Sequence, residues 1–160
     1  MNLSTSWEYI EKVAESRLEH NITVHHRYQY GEIIEVLGAA GELAARRFLS
    51  LNENLHDRFD GGIDIVFHGV SIDVKTTHLT RKFKHRCLQW PARKRIKADI
   101  VLMAAVDVRT KRAAIIGYAY PQEILSREVN YEREQPCYEV PVEELHPAWE
   151  LLVPSAFQAN

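Results

Sequence analysis

Gly62-Ile63-Asp64-Ile65-Val66-Phe67-His68-Gly69-Val70-Ser71-Ile72-Asp73-Val74-Lys75 reads as a β-hairpin. With His68-Gly69 as a two-residue turn, where glycine is a favoured component, Phe67 faces Val70, Val66 faces Ser71, Ile65 faces Ile72 and Asp64 faces Asp73. Side chains alternate between the two faces of a strand. One face of the hairpin is therefore Ile63, Ile65, Phe67, Val70, Ile72 and Val74, without a polar residue, and this register predicts that the whole face is buried.

The opposite face carries Asp64, Val66, Ser71, Asp73 and Lys75. Asp64 and Asp73 as cross-strand neighbours have Cβ atoms about 5 Å apart, which is repulsive for like charges. A divalent cation between them relieves that repulsion, and oxygen-only ligands suit Mg²⁺ or Mn²⁺. Lys75, two residues past Asp73, points to the same side. Two carboxylates and a lysine on one sheet face suit metal-assisted hydrolysis of a phosphodiester. The alternative is a solvent-facing strand pair whose Asp–Lys contacts are surface salt bridges.

On either side of the hairpin the pattern changes period. Trp7, Ile10, Val13, Ala14 and Leu18 recur at helical spacing over residues 6–19, with Glu8, Glu11, Lys12, Glu15 and Arg17 largely on the other side; Asn21 is a candidate stop. A second helix is expected over 32–51, burying Ile33, Ile34, Val36, Leu37, Ala40, Leu43, Ala44, Phe48 and Leu49. Gly38 and Gly41 inside it mark either a break or a close approach to another backbone. Strands are expected at 62–67, 70–76, 99–108 and 112–120, the last two joined by a turn at Arg109-Thr110-Lys111. A short helix follows at 121–126, with Pro121 at an early position. Tyr138–Val142 reads as an edge strand with Pro141 at its margin, and 142–152 as helical turns broken by Pro147. The fold class predicted is α/β, a mixed β-sheet flanked by helices.

The 160 residues are read as one domain, long enough to bury a core without disulfides or structural metal. Cys87 and Cys137 stand in unrelated contexts and cannot make a four-cysteine zinc site; a reducing compartment is expected. The first eight residues show neither a basic nor an apolar leader region, and no apolar run approaches the ~20 residues needed to span a bilayer. The formal net charge is −2, an average that by itself argues against a polyanionic partner, but the charges are segregated. Arg81, Lys82, Lys84, Arg86, Arg93, Lys94, Arg95 and Lys97 fall in a stretch without an acid, while residues 121–160 hold eight glutamates against Arg127 and Arg133. So dense a basic block needs either water or a polyanion around it.

Asp64, then Asp73-Val74-Lys75 after a short hairpin, with Gly41-Glu42 on the preceding helix, resembles the PD-(D/E)xK nuclease superfamily, the restriction-endonuclease-like fold with its αβββαβ-type core. The resemblance covers roughly residues 38–108. Lys97-Ala98-Asp99 before an apolar strand and Val140-Pro141-Val142-Glu143-Glu144-Leu145 are similar to features of its phage and bacterial members. Ile63 stands where the name-giving proline would be.

The resemblance implies a metal-dependent DNA nuclease in the cytoplasm of a bacterial or phage-infected cell. Asp64 and Asp73 would ligate Mg²⁺ or Mn²⁺ with the Val74 carbonyl, and Glu42 would complete the shell. Lys75 would orient the attacking water and offset charge in the transition state. Gly38 and Gly41 would let the helix come close enough for Glu42 to reach. The basic set from Arg81 to Lys97 would contact phosphates, which gives affinity without reading sequence. A homodimer is compatible with making two cuts. Asp60 competes with Asp64 but falls outside the hairpin register, Gln89 is a candidate for aligning substrate, and Trp90 is read as core. His25, His26 and His56 are given no role. The alternative function is a catalytically silent nucleic-acid-binding module on the same fold.

Overall fold

A computed structural model describes residues 1–25, 31–55, 62–79 and 86–153. Arg81, Lys82, Lys84, His26, His56 and Asp60 lie outside the described residues. In chain order the elements are α1 (Trp7–His25), α2 (Gly31–Phe48), β1 (Ile65–Phe67), β2 (Val70–His78), β3 (Cys87–Pro91), β4 (Ile100–Asp107), β5 (Arg112–Ala119), α3 (Pro121–Leu125), β6 (Val129–Asn130) and β7 (Cys137–Pro141). Short 3₁₀ turns at Val142–Glu144 and Ala148–Leu152 stand on either side of Pro147.

The hairpin forms in the expected register, with Ile65 opposite Ile72, Val66 opposite Ser71 and Phe67 opposite Val70. His68 and Gly69 both adopt positive φ, 49° and 83°, the condition for a two-residue turn whose twist matches the strands. Ile65, Ile72 and Val74 are buried in one cluster with Phe67 and Val70 against it, whereas Val66 on the other face is 65% exposed.

β2 and β4 pair in parallel, and β4 and β5 antiparallel, giving a four-stranded mixed sheet in the order β1-β2-β4-β5. The start of the parallel pair is tied by Asp99, whose Oδ2 accepts from the Ser71 N–H and hydroxyl at 2.8 and 2.6 Å. These bonds hold its carboxyl below the ordinary aspartate value. At the far end, Asp107 Oδ1 accepts from the N–H groups of Arg109 and Thr110 and shapes the β4–β5 turn.

Helices cover one face of this sheet. Ile10, Val13 and Ala14 of α1 pack on Val36, Ala40, Leu43 and Ala44 of α2, over Val106 and Ala113. Ala45 and Leu49 continue onto Ile65, Ile72, Val74 and Leu102. α1 runs past Asn21 to His25. Ile33 and Ile34, expected in the core, are exposed; among the described residues the first buried position of α2 is Val36. The Gly38–Gly41 stretch does not break α2. A Cβ on Gly41 would lie 1.9 Å from Thr76 Oγ1 and 2.9 Å from Thr76 Cβ, so this glycine is the point of closest approach between α2 and β2.

The other face is covered differently from the expectation of flanking helices. A second, three-stranded sheet in the order β3-β7-β6 packs there. Leu88, Trp90 and Val140 from that sheet and Ile124 of α3 bury Val101, Met103 and Ala119. β3 lies within the stretch read as a basic block, since Leu88 and Trp90 alternate inward between its charged flanks. β7 is the central strand of this sheet rather than an edge strand, with Pro141 at its end opposite Cys87. Among the described residues no helix lies between β2 and β4, where the αβββαβ order expects one; the chain passes through β3 instead.

The Gly41 contact yields a prediction. Gly41→Ala should lower stability by about 2–3 kcal/mol, the cost of forcing an extra methyl into a packed core. Adding Thr76→Ala should restore only part of it, because the Thr76 Cβ stays within 2.9 Å. Equilibrium urea unfolding of the single and double variants measures both.

Candidate active site on β2

Asp73 and Lys75 occupy alternate positions of β2 on the face turned away from α2. Asp73 is 3% exposed, the one charged side chain in the buried set of the described residues. Its Oδ1 accepts a hydrogen bond from Lys75 Nζ. A carboxylate so far from water is costly unless it is paired, and Lys75 supplies the pairing. The same ammonium stands 4.7 Å from the centroid of the Trp90 ring, an attraction of about 0.5–2 kcal/mol. Trp90 is core, as expected, and also holds Lys75 from below. Its indole Nε1 donates to the Lys94 carbonyl at 2.8 Å, so the loop carrying Arg93, Lys94 and Arg95 hangs on the ring beneath the lysine.

Asp64 stands immediately before β1. Its N–H bonds the Ile72 carbonyl at 2.9 Å, and its Oδ2 accepts from the Val74 N–H at 2.5 Å. The carboxylate thus serves a backbone donor of β2 beyond the last β1 pair, and it stands beside the strand that carries Asp73. Gly62 approaches the same acid: a side chain there would come within 3.8 Å of Asp73 Oδ2. Arg46 of α2 donates to the Asp64 carbonyl at 3.2 Å. Asp73 and Lys75 are therefore brought together, and Asp64 meets the same strand at the Val74 N–H, beyond the paired register, rather than as the cross-strand partner expected for Asp73.

Glu42 is held differently. Both of its oxygens accept from Arg17 of α1 at 2.7 Å in a bidentate pair, with side chains 13% and 12% exposed. Burial disfavours the Arg17 charge, but the hydrogen-bonded Glu42 outweighs it and the fields of Asp64 and Glu35 add to it, holding the guanidinium pKa above its ordinary value. Arg17 thus joins acids from α2 to the acid before β1. On sequence it belongs to the polar side of an amphipathic helix, and no local signal separates it from Lys12, which makes an exposed ion pair with Glu8.

Among the described residues no three His, Cys, Asp or Glu side chains stand together as a metal cage. Mg²⁺, however, is commonly bound by one or two carboxylates and takes its remaining ligands from water and substrate phosphate. Asp64, Asp73 and the Val74 carbonyl fit that kind of site, and Glu42 would join it only by leaving Arg17.

Beside Lys75 a cleft of about 380 Å³ opens between β2 and β3, lined by Lys75, Thr76, Thr77, Arg86, Cys87, Leu88, Gln89, Met103 and Arg133. Arg86 Nη1 donates to Thr77 Oγ1 at 2.5 Å. Arg93, Lys94, Arg95 and Lys97 are exposed in the connection from β3 to β4. Gln89 donates to Glu139 across the β3–β7 pair at 2.9 Å. Cys87 and Cys137 lie opposite Pro141 and Pro91, four positions and about 13 Å apart along the strands, too far for a disulfide. Burial first, and then the nearby Glu139 carboxylate, push both thiols up.

In comparisons with known proteins, no family model, no curated protein and no solved structure matches the chain.

Two outcomes are expected here. Arg17→Met and Glu42→Met should each cost about 2–4 kcal/mol, because each strands a largely buried partner. The double variant should recover most of that loss, so a double-mutant cycle by urea unfolding should give a coupling above 1 kcal/mol; simple additivity would show that the pair is not coupled. Glu139 yields a pH prediction. Burial raises its pKa, but hydrogen bonds from Asn130, Gln89 and Arg133 outweigh that and hold the carboxyl below its ordinary value. Its contribution to stability is present above the unfolded pKa, about 4.3, and is lost as pH falls through the lower folded value. Glu139→Gln should flatten the acid limb of a stability–pH curve below about pH 4.3.

Proposed function

We propose that the chain is a metal-dependent nuclease of the PD-(D/E)xK kind, hydrolysing DNA phosphodiester bonds on a restriction-endonuclease-like frame. The observation that carries the reading is the buried Asp73 paired with Lys75 on one face of β2, with Asp64 beside them at the end of the hairpin. A metal site of this kind needs a second carboxylate close to the first, and Asp64, bonded to the Val74 N–H next to Asp73 in the chain, is available to supply it.

Asp64, Asp73 and the Val74 carbonyl would hold the metal. Mg²⁺ or Mn²⁺ bound there would polarise the scissile phosphate and lower the pKa of a bound water. The chain's own groups do the rest. Lys75, supported on the Trp90 ring, holds the attacking water in line and offsets the charge that develops on the phosphoryl oxygens. Water adds to phosphorus, the bond to the 3′ oxygen breaks, and the products are a 5′-phosphate and a 3′-hydroxyl. Arg93, Lys94, Arg95 and Lys97 hold the flanking backbone through phosphate contacts that carry no sequence information. The expected activity is therefore endonucleolytic, with structure-directed or weak sequence preference.

The second reading is a silent nucleic-acid-binding module, and the ion pairs Glu42–Arg17 and Asp73–Lys75 favour it, since both leave acids already neutralised. One experiment separates the two. Supercoiled, linear, single-stranded and four-way-junction DNA are incubated with wild-type protein in Mg²⁺ or Mn²⁺. Cleavage that drops about 10²–10³-fold in Asp73→Asn and in Lys75→Ala, assayed at a temperature where circular dichroism shows each variant folded, supports the nuclease. Binding without cleavage by wild type in either metal supports the silent module. Variants that cut as fast as wild type overturn the site.

A further inference from the structure

The cleft beside Lys75 brings Arg133, which the nuclease reading does not use, next to residues that it does. Lys75 and Thr77 come from β2, Arg86 and Gln89 from β3 and its approach, and Arg133 from the loop between β6 and β7. Three cationic side chains line it, and none of the lining residues is acidic. Arg133 belongs to the acidic last quarter of the sequence, between Glu132 and Glu134, yet it reaches the basic cleft. Glu139 directs it there: Arg133 Nε donates to Glu139 Oε1 at 2.9 Å, and Nη2 stands 2.8 Å from the same oxygen. Asn130 and Gln89 hold the same carboxylate. An arginine has five N–H donors, more than a single carboxylate oxygen can take, and this guanidinium is half exposed.

We infer that this cleft is a subsite for one unpaired nucleotide of a polynucleotide strand, its phosphate held by Arg86 and Arg133 next to the phosphate that Lys75 faces. The inference rests on the nuclease reading for the neighbouring phosphate, and it adds the state of the substrate. About 380 Å³ is at the small end of ligand pockets, ~300–1,000 Å³. A space of that size suits one nucleotide better than a base pair. Gln89, its amide nitrogen turned to Glu139 and Cys87, supplies a neutral acceptor at the cleft wall.

The test measures binding of a labelled oligothymidine single strand and of a hairpin duplex of equal length, in EDTA so that nothing is cut. Wild type should bind the single strand, and Arg86→Gln/Arg133→Gln should weaken it at least tenfold with the thermal melt unchanged. The slope of log K against log salt should fall in magnitude by about 0.7, the value for one phosphate of a single strand. Duplex affinity should change less than threefold. Arg133→Lys, which keeps the charge, should retain most of the single-strand affinity. No single-strand binding by wild type, no effect of the double variant, or an equal loss on both ligands would overturn the subsite. Failure of the nuclease reading is distinct: a wild type that never cleaves but loses single-strand binding in the double variant keeps the subsite and loses the reaction.

Discussion

Helix α2 meets strand β2 at Gly41 and Thr76 with no room for a side chain, and the candidate site depends on that contact. β2 is central to the four-stranded sheet, hydrogen-bonded to β1 on one side and β4 on the other. Close packing of its even-numbered residues on the helices forces Asp73, Lys75 and Thr77 to the opposite face. That face would be an ordinary second core if helices covered it. Here the smaller sheet covers only part of it, burying Val101 and Met103 of β4 and leaving Lys75 about a third exposed. The site is the uncovered margin between two packed layers.

Electrostatics at that margin are arranged in pairs. Asp73 is buried with Lys75, Glu42 is clamped by Arg17, and Asp64 serves the Val74 N–H. Each pairing lowers the cost of holding an acid near the core, and each reduces the repulsion among acids that the sequence places close together. Lys75 has the second tie to Trp90, so it need not leave its place if a cation takes over Asp73. Glu42 has no such arrangement. Its bidentate clamp is the strong form of the carboxylate–guanidinium pair, which makes it the acid least ready to change partner.

Much of this was legible in the sequence where one residue's environment follows from its neighbours along the chain. The hairpin register followed from alternation plus a two-residue turn with glycine, whereas the glycines of α2 left a break and a close approach open, and the structure has the close approach at Gly41 and open space at Gly38. What escaped was set by distant segments. β3 is hidden because Leu88 and Trp90 are only two inward residues in a stretch dominated by Lys and Arg. β7 looked like an edge because its proline marks the end of the strand, not its place in the sheet. Arg17 is chemically an ordinary polar-face residue, and only packing of α1 on α2 brings it to Glu42, 25 positions away.

Charge placement follows the same logic. By position in the chain, Arg133 sits among glutamates and Arg86 at the end of a basic run, so a count along the sequence assigns them to opposite camps. In the folded chain they line one cleft, because β3 and β7 are paired and Gln89 lies opposite Glu139. Glu139 is the organising charge: it lies between the two thiols on one side of the small sheet and anchors Arg133 over the cleft. A negative residue thereby makes a positive surface, by spending its charge on orienting a cation rather than on cancelling the field around Lys75. The net charge of −2 reflects the sum of these groups and carries no information about where a polyanion would meet them. That depends on the pairing of β3 with β7, and the pairing depends in turn on Leu88, Trp90 and Val140 having the large sheet to bury against.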